Sequence, residues 1–237
     1  MELLTENQRI GTPDTHSADC SPATLKYNGR NSDHMVNKIT EKKLSILGLF
    51  RGDYQASFHV RQMAALLRVS HPTLLPHLHD LEKDSILRSS LAGRNKQYSL
   101  RLDNVAAREH ILLAEKTAAL DLLDRVPLLQ RIRAEIADLA LPGSFVLFGS
   151  YAKGTFTSAS DIDILYIGPE QDALDTLRKL GKTYGKRLSV QTTSLPDFEE
   201  GLRKRNPLFL EVLADHVLLE NAEPFVNAVW RHYRDRP

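Results

Sequence analysis

The stretch FGSYAKGTFTSASDIDIL, residues 148–165, limits most strongly what this chain can fold into. A Gly-Ser pair, Gly149-Ser150, ends a short apolar run, and after ten further residues Asp161 and Asp163 begin a second one. Because side chains alternate along a strand, both aspartates are predicted to project from the same face. Two ionised carboxylates so close together repel each other unless a cation lies between them. The sequence therefore predicts a cation site on this strand.

The ligand types and the preceding turn indicate what accompanies the cation. Oxygen ligands without nearby His or Cys favour a hard cation, so Mg²⁺ is expected, with Mn²⁺ as an alternative. Mg²⁺ bound by one or two carboxylates usually completes its shell with water and substrate phosphates. Gly149 lets the backbone approach a phosphate closely, and the Ser150 hydroxyl and the turn N–H groups can donate to its oxygens. The pattern predicts a nucleoside triphosphate held by metal and turn.

These residues resemble the signature of the DNA polymerase β nucleotidyltransferase superfamily in its minimal form. The family's extended pattern has similar residues at further positions, with Lys153 standing where Arg is common: Tyr151, Ala152, Lys153, Gly154 and Ser160. The resemblance implies Mg²⁺-dependent transfer of a nucleoside monophosphate from a triphosphate, expected to be ATP, to a hydroxyl. It implies Asp161 and Asp163 as catalytic and metal-binding residues. The nucleotide-binding residues that it implies are Gly149, Ser150, Lys153 and Ser160.

One departure from the family pattern concerns its third carboxylate, which lies on the next strand. In this chain that strand reads RLSVQTTS and has no acid. Gln191, or Ser189 on the same face, occupies the expected position, and Asp197 begins the following helix. An amide can ligate a metal but cannot balance its charge or usefully accept a proton. The motif therefore predicts nucleotide and metal binding more firmly than efficient transfer.

Residues 40–103 differ from the rest of the chain in charge. They hold ten Lys and Arg against six Asp and Glu, although the whole chain has a formal net charge of only +1. This excess favours an anionic partner. The pattern of helix, short strand, two helices and hairpin resembles bacterial and archaeal winged helix-turn-helix regulators. In these proteins the second helix of the helix-turn-helix pair, here residues 71–83, enters the major groove of double-stranded DNA. The DNA-contacting candidates are His71, Thr73, Leu74, His77, Arg94 and Lys96.

The same segment also allows a second interpretation, a winged helix that serves only as a protein-interaction module. The proposed recognition helix has no Lys or Arg before Lys83. Pro76 lies inside this helix, where it removes a hydrogen bond unless the helix bends. Both interpretations stay open on the sequence alone.

The predicted fold class is α+β with several domains. A disordered N-terminal extension is expected at residues 1–39, where apolar periodicity is absent, and Met35 is an alternative start. A winged helix at 40–103 and a helical connector at 104–140, divided by Pro127, precede a nucleotidyltransferase-like domain at 141–237 with a mixed sheet and flanking helices. The apolar stripes of the connector predict packing against a second copy or against both domains, and a homodimer is expected.

The remaining composition bears on where the protein is located, and three candidate functions stay open. One cysteine, Cys20, excludes an internal disulfide, and without a signal peptide or a long apolar run the protein is expected to be cytoplasmic with no membrane partner. The first function is the transferase, with a protein hydroxyl as one acceptor, since small domains with this motif resemble antitoxins that adenylylate a partner toxin. The second is a nucleotide-sensing transcriptional regulator, which the missing acid favours. The third is an interaction protein that has lost both chemistries.

Overall fold

The computed structural model describes residues 39–169 and 174–235, which form a mixed α+β protein with two sheets. These residues belong to one compact unit, Asn37–Pro237. The extension predicted to be disordered lies outside the described residues except for Ile39. Within the described ranges, every helix is too short or too polar to cross a bilayer.

The N-terminal part contains three helices and an antiparallel three-stranded sheet of order β1-β3-β2. Its elements are α1 Glu41–Gly48, β1 Ser57–His59, α2 Val60–Leu67, α3 His71–Lys83, β2 Leu87–Ala92 and β3 Asn95–Leu100. The hydroxyl of Thr40 accepts the Lys43 N–H at 3.3 Å and so caps α1. Pro76 lies inside α3, whose buried face consists of Leu74, Leu78 and Leu81.

Two helices follow, α4 (Val105–Arg125) and α5 (Pro127–Asp138). The Asn104 side chain accepts the Ala106 N–H at 2.9 Å and so caps α4. Pro127 begins α5, where its missing N–H removes no helical hydrogen bond. The sequence predicted this division at Pro127, and the structure confirms it.

The C-terminal part is built around a four-stranded sheet of order β6-β5-β4-β7. Its elements are β4 Ser144–Phe148, α6 Gly149–Lys153, β5 Ile162–Ile167, α7 Leu174–Thr183, β6 Leu188–Thr193, α8 Leu195–Arg203, α9 Pro207–Ala214, β7 Val217–Glu220 and α10 Ala222–Arg234. Strands β5 and β6 are parallel, whereas β4 is antiparallel to both β5 and β7. The parallel pair is connected through α7, as a parallel connection requires a crossover.

One hydrophobic core joins the N-terminal part to the C-terminal part. It runs from Ile46 on α1 through Ile111 on α4 to Phe225 and Trp230 on α10, and it covers one face of the four-stranded sheet. A second core covers the opposite face of that sheet with α5. Helix α4 therefore packs against both parts of the same chain, one of the two arrangements that the sequence left open. The division into separate domains stays a prediction.

Candidate active site

The Gly-Ser pair lies where β4 ends and the five-residue helix α6 begins. Gly149 has a φ of +68°, in the left-handed region that favours glycine. A Cβ at this position would lie 2.5 Å from Oδ2 of Asp163, closer than two such atoms can approach. The backbone of the turn therefore lies directly against the Asp163 carboxylate, and only glycine fits there.

The loop after α6 is held in place by its own side chains. The rings of Tyr151 and Phe156 stack with centroids 4.2 Å apart. The Thr157 N–H donates to Oγ of Ser160 at 2.9 Å, and Lys186 donates to the carbonyl of Ser158. Ser160, which the resemblance implied as a nucleotide-binding residue, thus fixes the shape of the loop that leads into the aspartates.

The two aspartates occupy the start of β5. Asp163 is in register with Phe148 on β4 and with Ser189 on β6, and Asp161 directly precedes the strand. Burial raises the pKa of Asp163, a hydrogen bond from Ser189 opposes this, and the negative charges of Asp161 and Glu211 raise it further. The positive charge of Arg187 lowers the pKa but does not offset these effects, so the carboxylate is not fully compensated, and a bound cation would supply the missing positive charge.

The structure assigns a different residue to the position of the missing third acid. Ser189 is opposite Asp163, whereas Gln191 is opposite Leu165, two residues farther along β6, and its side chain is exposed. Asp197 lies beyond the other end of β6, where its carboxylate accepts the Ser194 hydroxyl at 2.6 Å in the first turn of α8. Of the three candidates, Ser189, the second choice from the sequence, is therefore the one that lies beside Asp163, and Asp197 is too far away.

Two basic side chains lie at the edges of this site. Nζ of Lys153 is 2.9 Å from Oε1 of Glu211 on α9, and Arg187 is 3.5 Å from Oδ2 of Asp161. Arg187 and Glu211 were not predicted from the sequence. Arg187 could have been found, because it is the first residue of RLSVQTTS, the segment predicted to form the next strand. Glu211 carries no such signal, since only packing brings α9 to Lys153.

The donor set fits Mg²⁺ with a nucleotide as co-ligand. Within residues 39–169 and 174–235 no group of three or more His, Cys, Asp and Glu side chains is arranged to hold a metal ion. Two carboxylates are nevertheless enough for Mg²⁺ when water and substrate phosphates supply the other ligands. Asp161 and Asp163 are the residues that would hold it. On the side of the Gly149 turn, backbone atoms line the site.

The residues predicted to contact DNA do not all lie together. A cavity of about 440 Å³ between α2, α3 and the β2–β3 hairpin is lined by His71, Arg94 and Lys96, and also by Arg61, which the sequence analysis did not single out. The prediction that Leu74 contacts DNA is wrong, because its side chain is fully buried in the core. Its neighbour Leu75 faces outward on α3 instead, with 43% exposure.

The other two candidates on α3 are outside this cavity. The Thr73 hydroxyl lies 2.6 Å from the Ser70 hydroxyl at the start of the helix. His77 is half-buried one turn farther on. The lysine and arginine side chains of this surface therefore lie on α2 and on the hairpin.

Comparison with known proteins agrees with the geometry of the C-terminal part. The model of the nucleotidyltransferase domain family matches residues 129–214, a range that runs from α5 to the end of α9 and includes the Gly-Ser turn and both aspartates. No curated protein and no solved structure matches the chain. The family match supports a nucleotidyltransferase domain in this part of the chain, and it does not extend to residues 40–103.

Proposed function

We propose that this protein is a Mg²⁺-dependent nucleotidyltransferase that transfers a nucleoside monophosphate from ATP to a hydroxyl acceptor. The observation that carries the proposal is the direct contact between the Gly149 turn and the Asp163 carboxylate within the matched range. A turn that leaves backbone N–H groups free for phosphate, beside carboxylates suited to a cation, brings together the two requirements of phosphoryl transfer.

Each residue has a distinct part in the proposed reaction. The metal, when bound by Asp161 and Asp163, supplies positive charge to the phosphates. The turn at Gly149 and Ser150 binds the phosphate oxygens. Lys153 lies at the other end of α6, and its positive charge can attract the same phosphates. The acceptor oxygen bonds to the α-phosphorus as the bond to pyrophosphate breaks. Ser189 cannot take up the hydroxyl proton, so the proton passes to solvent and transfer is expected to be slow.

Transfer of label from ATP labelled at the α-phosphorus tests this function. The wild-type protein is incubated with MgATP and candidate acceptors, namely proteins such as a partner toxin, nucleic-acid ends and small alcohols. Asp161→Asn combined with Asp163→Asn is the control. Label that appears with wild type and not with the double variant supports the transferase, and equal labelling by both proteins contradicts it.

A second candidate function is a nucleotide-sensing transcriptional regulator, in which residues 40–103 act as a winged helix on double-stranded DNA. The order of elements and the antiparallel β1-β3-β2 sheet support this assignment. The cavity lined by His71, Arg94, Lys96 and Arg61 offers a surface for phosphate oxygens. Ser189 opposite Asp163 favours binding over turnover, and the continuous core gives the two parts a physical connection.

Fluorescence anisotropy with duplex DNA, with and without MgATP, tests the regulator. DNA affinity that changes with MgATP, in a protein that transfers no label, would replace the transferase by the regulator. If MgATP does not change the DNA affinity, the nucleotide-sensing regulator is excluded and the interaction protein remains. The expected homodimer belongs to the same proposal, and the exposed Leu113 and Leu120 on α4 are the apolar residues that a second copy would cover.

A further inference from the structure

Lys153, a basic residue on the helix that begins at the Gly149-Ser150 turn, already has a partner in the free protein. Lys153 is the last residue of α6, the helix that begins at Gly149. Its ammonium group lies 2.9 Å from Glu211, and the two side chains are 38% and 48% exposed. The hydrogen bond and the charge of Glu211 raise the pKa of Lys153, and the charge of Asp215 adds to this. A triphosphate that uses Lys153 must therefore displace Glu211.

We propose that Glu211 competes with the triphosphate for Lys153. In the free protein Glu211 binds Lys153, and bound nucleotide displaces Glu211 from it. The inference rests on the proposed nucleotide site and names the residue that sets its affinity. An exposed ion pair stabilises a protein only slightly, because water screens both charges. A triphosphate beside a divalent cation brings more negative charge to the turn than one carboxylate does, so the exchange favours nucleotide.

The position of Glu211 connects this exchange to the N-terminal part. The Asp215 N–H donates to the Glu211 carbonyl at 3.2 Å at the end of α9. The next residue, His216, is held through its carbonyl by Arg51 at 2.6 Å. A Cβ at Gly52 would lie 2.9 Å from the carbonyl oxygen of Ala214, so the turn after α1 lies against the end of α9.

The helix that carries Glu211 is therefore held at its C-terminal end, about one turn beyond Glu211, by the segment that follows α1. When Lys153 leaves Glu211, α9 loses the ion pair and keeps its contacts with that segment. Nucleotide binding is expected to loosen α9 and the Arg51–Asp53 turn together, because the two pack directly against each other.

Titration calorimetry with MgATP on the full chain tests the competition. Glu211→Gln removes the charge but keeps the shape, and it is expected to tighten MgATP binding about threefold, the scale of an exposed ion pair. Glu199→Gln is the matched control, since Glu199 forms an equally exposed pair with Arg231 on α10. This control is expected to bind MgATP as wild type does. Unchanged or weaker binding by Glu211→Gln overturns the proposal.

The same titration separates this proposal from the proposed function. Wild type that binds MgATP without any gain in Glu211→Gln overturns the competition and leaves the nucleotide site intact. Absence of MgATP binding in both proteins overturns the proposed function and the competition with it.

Amide hydrogen exchange tests the connection through α9. Glu211→Gln without nucleotide, and wild type with MgATP, are both expected to exchange faster in residues 207–216 and 51–53 than free wild type. Exchange that stays unchanged in the variant while MgATP alters it in wild type would mean that the loss of Glu211 does not reproduce the bound state, and would overturn this step.

Discussion

Two groups of charged residues lie near the C-terminal end of helix α9, and they differ in their access to water. On the last turn of the helix, the pair of Glu211 and Lys153 is partly exposed. Just beyond the helix, Arg51 Nε lies 2.7 Å from Glu115, and His216 Nε2 lies 3.1 Å from the second oxygen of the same carboxylate. The Glu115 side chain is fully buried and that of His216 is 1% exposed.

The difference in burial separates a structural role from an exchangeable one. An exposed ion pair contributes about 0–1 kcal/mol, so a ligand can replace one partner at small cost. Removing one partner of a buried group leaves the other charge without water, which costs about 3–5 kcal/mol. The buried group is therefore expected to fix α4, the α1 turn and the end of α9 together, while the exposed pair is free to respond to ligand.

The largest expected effect is that of Glu115→Gln on folding. The amide cannot neutralise the charge of Arg51, so the free energy of unfolding is expected to fall by about 3–5 kcal/mol at pH 7. Urea denaturation followed by circular dichroism measures this change. Asp124→Asn, an exposed change on the same helix, is the control and is expected to alter stability by less than about 0.5 kcal/mol. A loss below 1 kcal/mol for Glu115→Gln would contradict the structural role.

The pH dependence of stability sharpens the same comparison. Burial alone raises the pKa of Glu115, but His216 and Arg51 outweigh burial and hold the pKa below its ordinary value. The stabilisation is therefore complete above the unfolded-state pKa of about 4.3 and is lost as the pH falls through the lower folded-state pKa. Wild type is expected to lose more stability than Glu115→Gln between pH 7 and about pH 3. Parallel urea midpoints in both proteins would contradict this assignment.

The next effect concerns nucleotide binding beside the exposed pair of Lys153 and Glu211. Asp161→Asn with Asp163→Asn is expected to weaken Mg²⁺-dependent ATP binding by more than about 100-fold, or roughly 2.7 kcal/mol. The fold is expected to remain, because removing clustered negative charge relieves repulsion in the metal-free protein. Calorimetry with ATP and Mg²⁺ gives the affinity, and urea denaturation checks the fold. Equal binding by wild type and double variant would exclude Asp161 and Asp163 as the metal site.

The contrast between the local features of the nucleotide site and the buried group around Glu115 also shows what the sequence can predict. The turn and the aspartates are local, since Gly149, Asp161 and Asp163 lie within one strand–turn–strand unit, and alternation along the strand places the carboxylates. The division at Pro127 and the cap at Thr40 are likewise local rules of helix ends. Such features need no knowledge of the tertiary structure.

Features that depend on packing between distant segments were not predicted. Glu115 reads as an ordinary polar residue on an amphipathic helix, and only the approach of Arg51 and His216 makes its burial possible. Leu74 was assigned to the DNA surface because the rotation of α3 on its core cannot be read from one helix alone. The register of β6 against β5, which places Ser189 rather than Gln191 opposite Asp163, is also tertiary.

That register leads to a smaller, paired prediction at the nucleotide site. Ser189→Asp places a carboxylate opposite Asp163 and is expected to tighten Mg²⁺ binding about tenfold in the presence of ATP, because it adds a hard oxygen ligand. Gln191→Asp adds the same charge two residues farther along β6 and is expected to change Mg²⁺ affinity less than threefold. Calorimetry with Mg²⁺ at fixed ATP compares the two variants. The reverse order would show that the position opposite Leu165 faces the metal.

The smallest expected effect tests whether an ion pair also restrains a basic residue in the N-terminal part. Lys96 on the hairpin lies 2.7 Å from Glu82, whereas Arg94, also exposed, makes no hydrogen bond or ion pair with any residue that the structure describes. If residues 40–103 bind duplex DNA, Arg94→Ala is expected to lower the slope of log K against log salt by about 1. Lys96→Ala is expected to lower it by less, because Glu82 already neutralises Lys96.

Anisotropy titrations with duplex DNA over a range of salt concentrations give both slopes. Glu82→Gln is the reciprocal variant and is expected to strengthen DNA binding about twofold by releasing Lys96, as Glu211→Gln is expected to release Lys153 for nucleotide. An unchanged salt slope in both basic variants would mean that the hairpin points away from DNA, and residues 40–103 would then be better explained as a protein-interaction module. A slope lowered equally by both would show that DNA takes Lys96 from Glu82 without measurable cost, and that an exposed ion pair does not restrain the basic residue it holds.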